Sequence, residues 1–280
     1  MNYNPYASPA APLQAPQTAP GGGGYNGGPV PVGVVLRQSW ELFKANAGAA
    51  IGSMFVVGFI LAIPMFGPVT AVQWYYLGDA ITGMIATARH GGKPMMVLPV
   101  EYYLWQPLLT IWMVAIAQVF GPGFARLNVA IARNESPGVG AVFTGFGRVP
   151  ASIGWAMLTN IPALLAQGLV AVVALAGASP GVLQGLGNLA GLAALPVFAL
   201  QALGLIFTPW FIADANLGPI AAAKAAWRAT ARYRGESFLL LLALAGINIL
   251  GGCACGIGLF VTMPWSMVAL SYAYTNLPRT

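Results

Sequence analysis

Two cysteines one residue apart, Cys253-Ala-Cys255, interrupt an otherwise apolar run, GINILGGCACGIGLFVTMPW at residues 246–265. Thiols so spaced raise the question of a metal or a redox pair. Zinc normally takes four ligands, and beside the two cysteines the chain has a single histidine, His90. Soft Cu(I) accepts thiolate and thioether, which would bring in Met95 and Met96. A Cys253–Cys255 disulfide would close a very small, strained ring. The simplest reading is that small apolar residues fill a turn, and neither a metal nor a cofactor is expected.

The other groups that could do chemistry are dispersed. The six acids are Glu41, Asp79, Glu101, Glu135, Asp214 and Glu236, all at the ends of apolar stretches or in connections. A proton relay usually places an ionisable side chain inside the membrane, so none is expected, and no nucleophile lies near a base. GGGGYNGG (residues 21–28) follows no strand and opens no helix, so it is not a phosphate-binding fingerprint. The chain therefore reads as non-enzymatic. Asp214 precedes Gly218-Pro219, where a carboxylate would favour the start of a helix or balance local charge.

Composition explains why so little polar chemistry is present. Of 280 residues 58% are hydrophobic and 6% charged, whereas a soluble domain carries about 25% charged residues. Residues 149–213 form a charge-free run of 65 residues and residues 237–278 one of 42. As helix, 42 residues would reach about 63 Å, twice the roughly 30 Å hydrocarbon core. Each run must fold back, and GASPGVLQGLG (177–187) and GGCACG (251–256) supply the turn residues. Gly246, Gly251, Gly252, Gly256 and Gly258 would allow close helix approach there.

Two further spans are expected at about residues 48–68 and 104–124, with Trp74, Tyr75 and Tyr76 as interfacial aromatics after the first. The predicted class is an all-α integral membrane protein of about six transmembrane helices. Placing the N-terminus in the cytoplasm puts Arg37, Lys44, Arg126, Arg133, Arg148, Lys224, Arg228, Arg232, Arg234 and Arg279 inside, with only Arg89 and Lys93 outside. That is the positive-inside pattern. It accounts for the net charge of +6 without nucleic acid, for which no binding motif is present.

Residues 1–31 hold seven prolines, six glycines and no charge. Such a segment cannot bury a core and is expected to be a disordered cytoplasmic tail. It lacks the basic start and apolar stretch of a signal peptide. Spacings such as Pro9-Ala-Ala-Pro12 suit an aromatic groove on a protein partner. Residues 32–280 then form the membrane domain.

An internal repeat organises that domain. Arg37-Gln-Ser-Trp40 followed by Gly48 has the spacing of Lys224-Ala-Ala-Trp227 followed by Gly235, each after a proline, Pro31 or Pro219. A weaker copy runs from Pro137 through Phe143 to Arg148. The architecture is therefore read as three hairpins, each preceded by a cytoplasmic interfacial amphipathic helix. In GPIAAAKAAWRATARYRG (218–235), Lys224, Arg228 and Arg232 recur every four residues and share a face. With Arg234 they are expected to meet anionic lipid headgroups, while Trp227 and the alanines face the acyl boundary.

Polarity within the spans comes from Gln118, Asn160, Gln167, Asn188, Gln201, Asn248 and Ser266. Such residues most often hydrogen-bond between helices. The alternative is that Asn160, Gln167, Gln201 and Asn248 line a path for a neutral solute.

The stretches FTPWFIADANLGPIAAAKAAWRATARYRGESF and CGIGLFVTMPWSMVALSYAYTNL, with GFARLNVAIARNESPGVGAVFTGFGR at residues 123–148, resemble a broad group of bacterial inner-membrane proteins. One branch is the membrane domain of glycerophosphoryl diester phosphodiesterase. The resemblance covers about residues 33–277 and implies a polytopic inner-membrane fold, with residues 123–148 as its central cytoplasmic connection. It brings no catalytic residues, and the phosphodiesterase activity does not carry over because no hydrolase domain accompanies the spans. Sequence alone thus points to a membrane scaffold or accessory protein contacting lipid and a partner of its tail, with a transporter or channel for a small neutral or amphipathic solute as the alternative.

Overall fold

The fold was analysed in a computed structural model, which describes residues 30–91, 98–192, 195–254 and 256–277. The tail, residues 1–29 in particular, lies outside the described residues, as do Met95, Met96 and Cys255. The chain is all-helical, with no strand among the described residues. In order it forms α1 (Val32–Ala45), α2 (Ala47–Arg89), α3 (Val100–Ala117), α4 (Gly121–Ala132), a 3-10 segment (Val139–Arg148) and α5 (Val149–Leu175). These are followed by α6 (Pro180–Leu192), α7 (Leu195–Ala202), α8 (Thr208–Ala213), α9 (Pro219–Ala229), α10 (Arg234–Cys253) and α11 (Leu259–Thr275).

Four stretches are long and apolar enough to cross a membrane: Ala47–Arg89, Val100–Ala132, Val139–Leu175 and Arg234–Cys253. A fifth arises if the pair Leu195–Ala202 and Leu205–Ala213, bent by 82°, is one broken pass. The chain is thus a multi-pass membrane protein in its helical make-up. α11, at 17 residues, is at the short end of the roughly 17–25 that a span uses, and much of it is enclosed by protein, with Ser266, Val268, Ala269, Leu270, Ser271 and Tyr274 buried.

Three expectations change. The first apolar stretch does not end near residue 68: α2 continues unbroken for 43 residues through Trp74, Tyr75 and Tyr76. Its internal Pro64 and Pro68 each remove a backbone donor. Only residue 68 leaves the Pro64 carbonyl without its i+4 partner, and the Trp112 indole N–H from α3 donates to that oxygen at 2.7 Å. The turn expected over 177–187 is confined to the residues just before Pro180, which opens α6; Gly177 provides the left-handed φ of 78°, and proline is compatible with a first helical turn. Finally, the segment expected as the central cytoplasmic connection, residues 123–148, is largely helical, and its first part is interior. α4 buries Leu127, Val129 and Ile131 almost completely, which makes it the centre of the molecule.

The core forms where α4 meets α1, the 3-10 segment, α8 and α11. One cluster joins Val35, Val129, Phe207, Trp210, Leu240 and Leu270; another joins Phe43, Leu127, Ile131 and Val268. Two backbone approaches fix it. A Cβ on Gly123 would lie 1.7 Å from the Val142 carbonyl oxygen, and one on Gly145 would lie 2.2 Å from the Gly123 nitrogen. The Gly121-Pro122-Gly123 opening of α4 therefore seats directly on the 3-10 backbone.

Each of the three repeated blocks noted in the sequence is a short helical segment leading into a long helix: α1 into α2, the 3-10 segment into α5, α9 into α10. The apolar faces of α1 and α9 do not lie open for lipid, however. Val35, Ser39 and Phe43 of α1 and Ala222, Ala226 and Ala229 of α9 are buried in the protein. The alanines of α9, expected to face the acyl boundary, are covered by protein instead, because a protein interior and an acyl layer select the same residues.

Candidate functional site

The basic row keeps its exposure although its alanine face is covered. α9 packs against α8 and the short turn before it, leaving Lys224 and Arg228 exposed; Arg232, expected on the same helix, is also exposed but lies in the turn after α9 ends at Ala229. Arg234 differs from the other three. Its guanidinium stacks on the Trp227 ring, 3.8 Å from the centroid, which fits the attraction of a planar cation for an aromatic face. Its Nε is buried with no hydrogen-bond partner. Trp227 thus serves as a platform for Arg234 and is only half-buried.

Beside this row lies a joint that sequence reading did not find. The Arg133 guanidinium at the end of α4 pairs with the Asp214 carboxylate at the end of α8, 2.7 Å apart and partly buried on both sides. The Tyr274 hydroxyl near the end of α11 donates to the same carboxylate oxygen at 3.0 Å. Arg126 reinforces the joint by donating to the Ala213 carbonyl at 2.8 Å and the Thr144 carbonyl at 2.7 Å. Asp214 does balance charge, but with a partner 81 residues away, and it does not cap α9, whose N-cap is Gly218 without a side-chain bond. A signal was present in the sequence: Asn134 and Asn216, each just after a returning helix, both take left-handed φ, 62° and 63°, as asparagine tolerates better than most residues.

Three of the four amides considered as a solute path have separate hydrogen-bond partners. Asn160 donates to the Ala156 carbonyl of its own helix at 2.8 Å. Asn248 donates to Leu244 O at 2.8 Å and to Ser266 Oγ at 2.9 Å. Gln167 accepts from Thr110 Oγ1 at 2.9 Å, joining α5 to α3. Gln201 is half-buried on α7. Gln118 accepts from Ser152 at 2.6 Å. Of the four, Gln167 lines a 410 Å³ cleft between α3, α5 and α6. A second cavity, 40 Å³, lies where Val30, Glu236 and Asn276 approach one another.

Cys253 is exposed and free and ends α10, beside a turn. That turn is tight: a Cβ on Gly258 would meet the Gly251 Cα at 2.7 Å, and Gly256 has φ 77°. Gly246 and Gly252, by contrast, face open space. Among the described residues no three His, Cys, Asp or Glu side chains are grouped to hold a metal.

No family model, no curated protein and no solved structure matches this chain. The motif resemblance stands on its own residues.

Proposed function

We propose that the protein is a non-enzymatic scaffold or accessory protein of the bacterial inner membrane, with its N-terminus in the cytoplasm. Its six passes are α2, α3 with α4, α5, the broken α6 to α8, α10 and α11. These form three out-and-back units related by repetition, in keeping with the resemblance of residues 33–277 to polytopic inner-membrane proteins. The observation that carries this reading is the Arg133–Asp214–Tyr274 joint. If the ends of α4, α8 and α11 meet at one place, each unit that begins beside that place must leave and return.

The joint also supports the functional part. It ties three units into a rigid end from which Lys224, Arg228 and Arg232 project, a row suited to anionic headgroups at about 1 kcal/mol per cation near such a surface. The Pro-rich tail emerges at the start of α1 and supplies a segment for a protein partner. Gln118, Gln167 and Asn248, each bonded to a neighbouring helix, fit a packed support better than a continuous solute path.

Co-purification in mild detergent, comparing the full chain with residues 32–280, tests the reading by mass spectrometry of bound proteins and lipids. A protein partner lost with the tail, and anionic lipid lost on replacing Lys224, Arg228 and Arg232 by Gln, are the expected results. Retention of neither partner nor anionic lipid by the full chain would refute it.

A further inference from the structure

The cleft between α3, α5 and α6 measures 410 Å³, within the range of small-molecule sites, about 300–1,000 Å³. Tyr102, Tyr103 and Gln106 line it from α3, Gln167 from α5, and Gly187 and Gly191 from α6. Among the described residues no charged side chain lines it. The two glycines, four residues apart, share one helix face and leave that wall free of side chains; a Cβ built on either meets nothing within 4 Å.

Each polar group in the lining can donate without carrying a charge. The Oε1 of Gln167 accepts from Thr110, which occupies one of its two lone pairs, and its amide N–H₂ can donate. Tyr102 and Tyr103 add two phenolic O–H groups, and Gln106 adds another amide N–H₂. The phenols are held in place by ring contacts, Tyr102 against Tyr76 at 6.1 Å and against Tyr103 at 5.6 Å. Tyr103 also packs on the cluster of Val170, Ala174 and Leu183.

The α3 and α5 walls of the pocket belong to stretches apolar enough to span a membrane. An anion there would find no countercharge, and burying it unpaired is costly. Donors without cations match oxygen acceptors without charge. We propose that this cleft binds an uncharged membrane amphiphile whose head carries carbonyl oxygens, the head on Gln106, Gln167 and the two tyrosines and the chain leaving along the Gly187–Gly191 wall. The shared chemistry has two membrane sources, the ester carbonyls of a diacylglycerol and the ring carbonyls of a quinone. This inference goes beyond the scaffold reading and does not depend on the tail or the basic row.

The test uses the full chain in lipid nanodiscs with a diazirine-bearing diacylglycerol as the photoprobe, labelled peptides being mapped by mass spectrometry. Labelling is expected on residues 100–110 and 163–170. Gln167→Leu should lower it about fivefold, the equivalent of one neutral hydrogen bond of about 1 kcal/mol. Gly191→Leu should fill the cleft and abolish labelling. Replacing a helical glycine at an open position does not threaten the helix, and Gly246→Leu, also at an open position, should label as the parent does. Competition by dioctanoylglycerol alone identifies a glyceride, and stronger competition by decylubiquinone identifies a quinone. Even labelling of the α2 and α10 lipid faces, unchanged labelling of Gly191→Leu, or equal competition by anionic phosphatidylglycerol would overturn the proposal.

Discussion

Trp112→Phe removes one hydrogen bond at a place where the backbone has no substitute. In an α-helix the carbonyl of residue 64 accepts from the N–H of residue 68. Residue 68 is proline, and the Trp112 indole donates to that oxygen instead, at 2.7 Å. Phenylalanine keeps most of the ring but has no N–H. The carbonyl then faces an apolar layer unpaired, at a cost of about 1–3 kcal/mol for an unsatisfied buried group. Interhelical hydrogen bonds in membranes average about 0.6 and reach about 1.7 kcal/mol. As Trp112 is itself partly exposed, we expect about 1–1.5 kcal/mol. The decisive comparison is a double-mutant cycle. Pro68→Ala restores a backbone donor to Pro64 O, so Trp112→Phe in that background should cost no more than about 0.5 kcal/mol. Reversible unfolding in mixed micelles, followed by Trp-independent far-UV dichroism, measures all four corners. An equal cost of Trp112→Phe in both backgrounds would refute the reasoning, because the indole would then act through packing and not through the orphaned carbonyl.

Gly123→Ala should destabilise by about 3 kcal/mol or more, since overpacking against an immovable carbonyl exceeds the usual 1–3; Gly147→Ala, at an open position, should stay within about 0.5 kcal/mol, both read from the same unfolding assay. Asp214→Asn should cost about 1–3 kcal/mol, below the roughly 3–5 of a fully buried broken pair because both partners are partly exposed. Tyr274→Phe should cost about 1 kcal/mol, and less than that once Asp214 is Asn, so the coupling measured in the double mutant checks whether the three groups act as one joint. Cys253 should react with a membrane-impermeant maleimide in the intact protein, whereas a cysteine introduced at Ser39, which is fully buried, should not.

Much of the fold could be read from residue types. The charge-free runs required turns, and the turns fall near Gly177 and after Cys253. Pro31 and Pro219 marked the starts of α1 and α9. The 43-residue α2 could not be read in this way, because proline lowers helix propensity in any sequence-based account. Its tolerance at Pro68 depends on a donor 44 positions further along the chain. The cleft was equally hidden: Gln167 was visible as a polar residue in a span, but its neighbours Tyr102 and Gln106 come from α3 and its open wall from α6.

The sequence by itself determined the solvent of this protein. A chain with 6% charged residues cannot be hydrated as a soluble domain, and its cations mark where the apolar runs stop. Only the tertiary structure decided which apolar faces meet protein and which meet lipid. Ala222, Ala226 and Ala229 lie against neighbouring helices, while Phe59 and Ile63 of α2 are left largely exposed. Lipid tails are as apolar as a helix interface, so hydrophobic period cannot tell the two apart. The distinction rests on small residues, backbone approach and hydrogen-bond partners, such as Arg133 for Asp214, that are remote in sequence and adjacent only after folding.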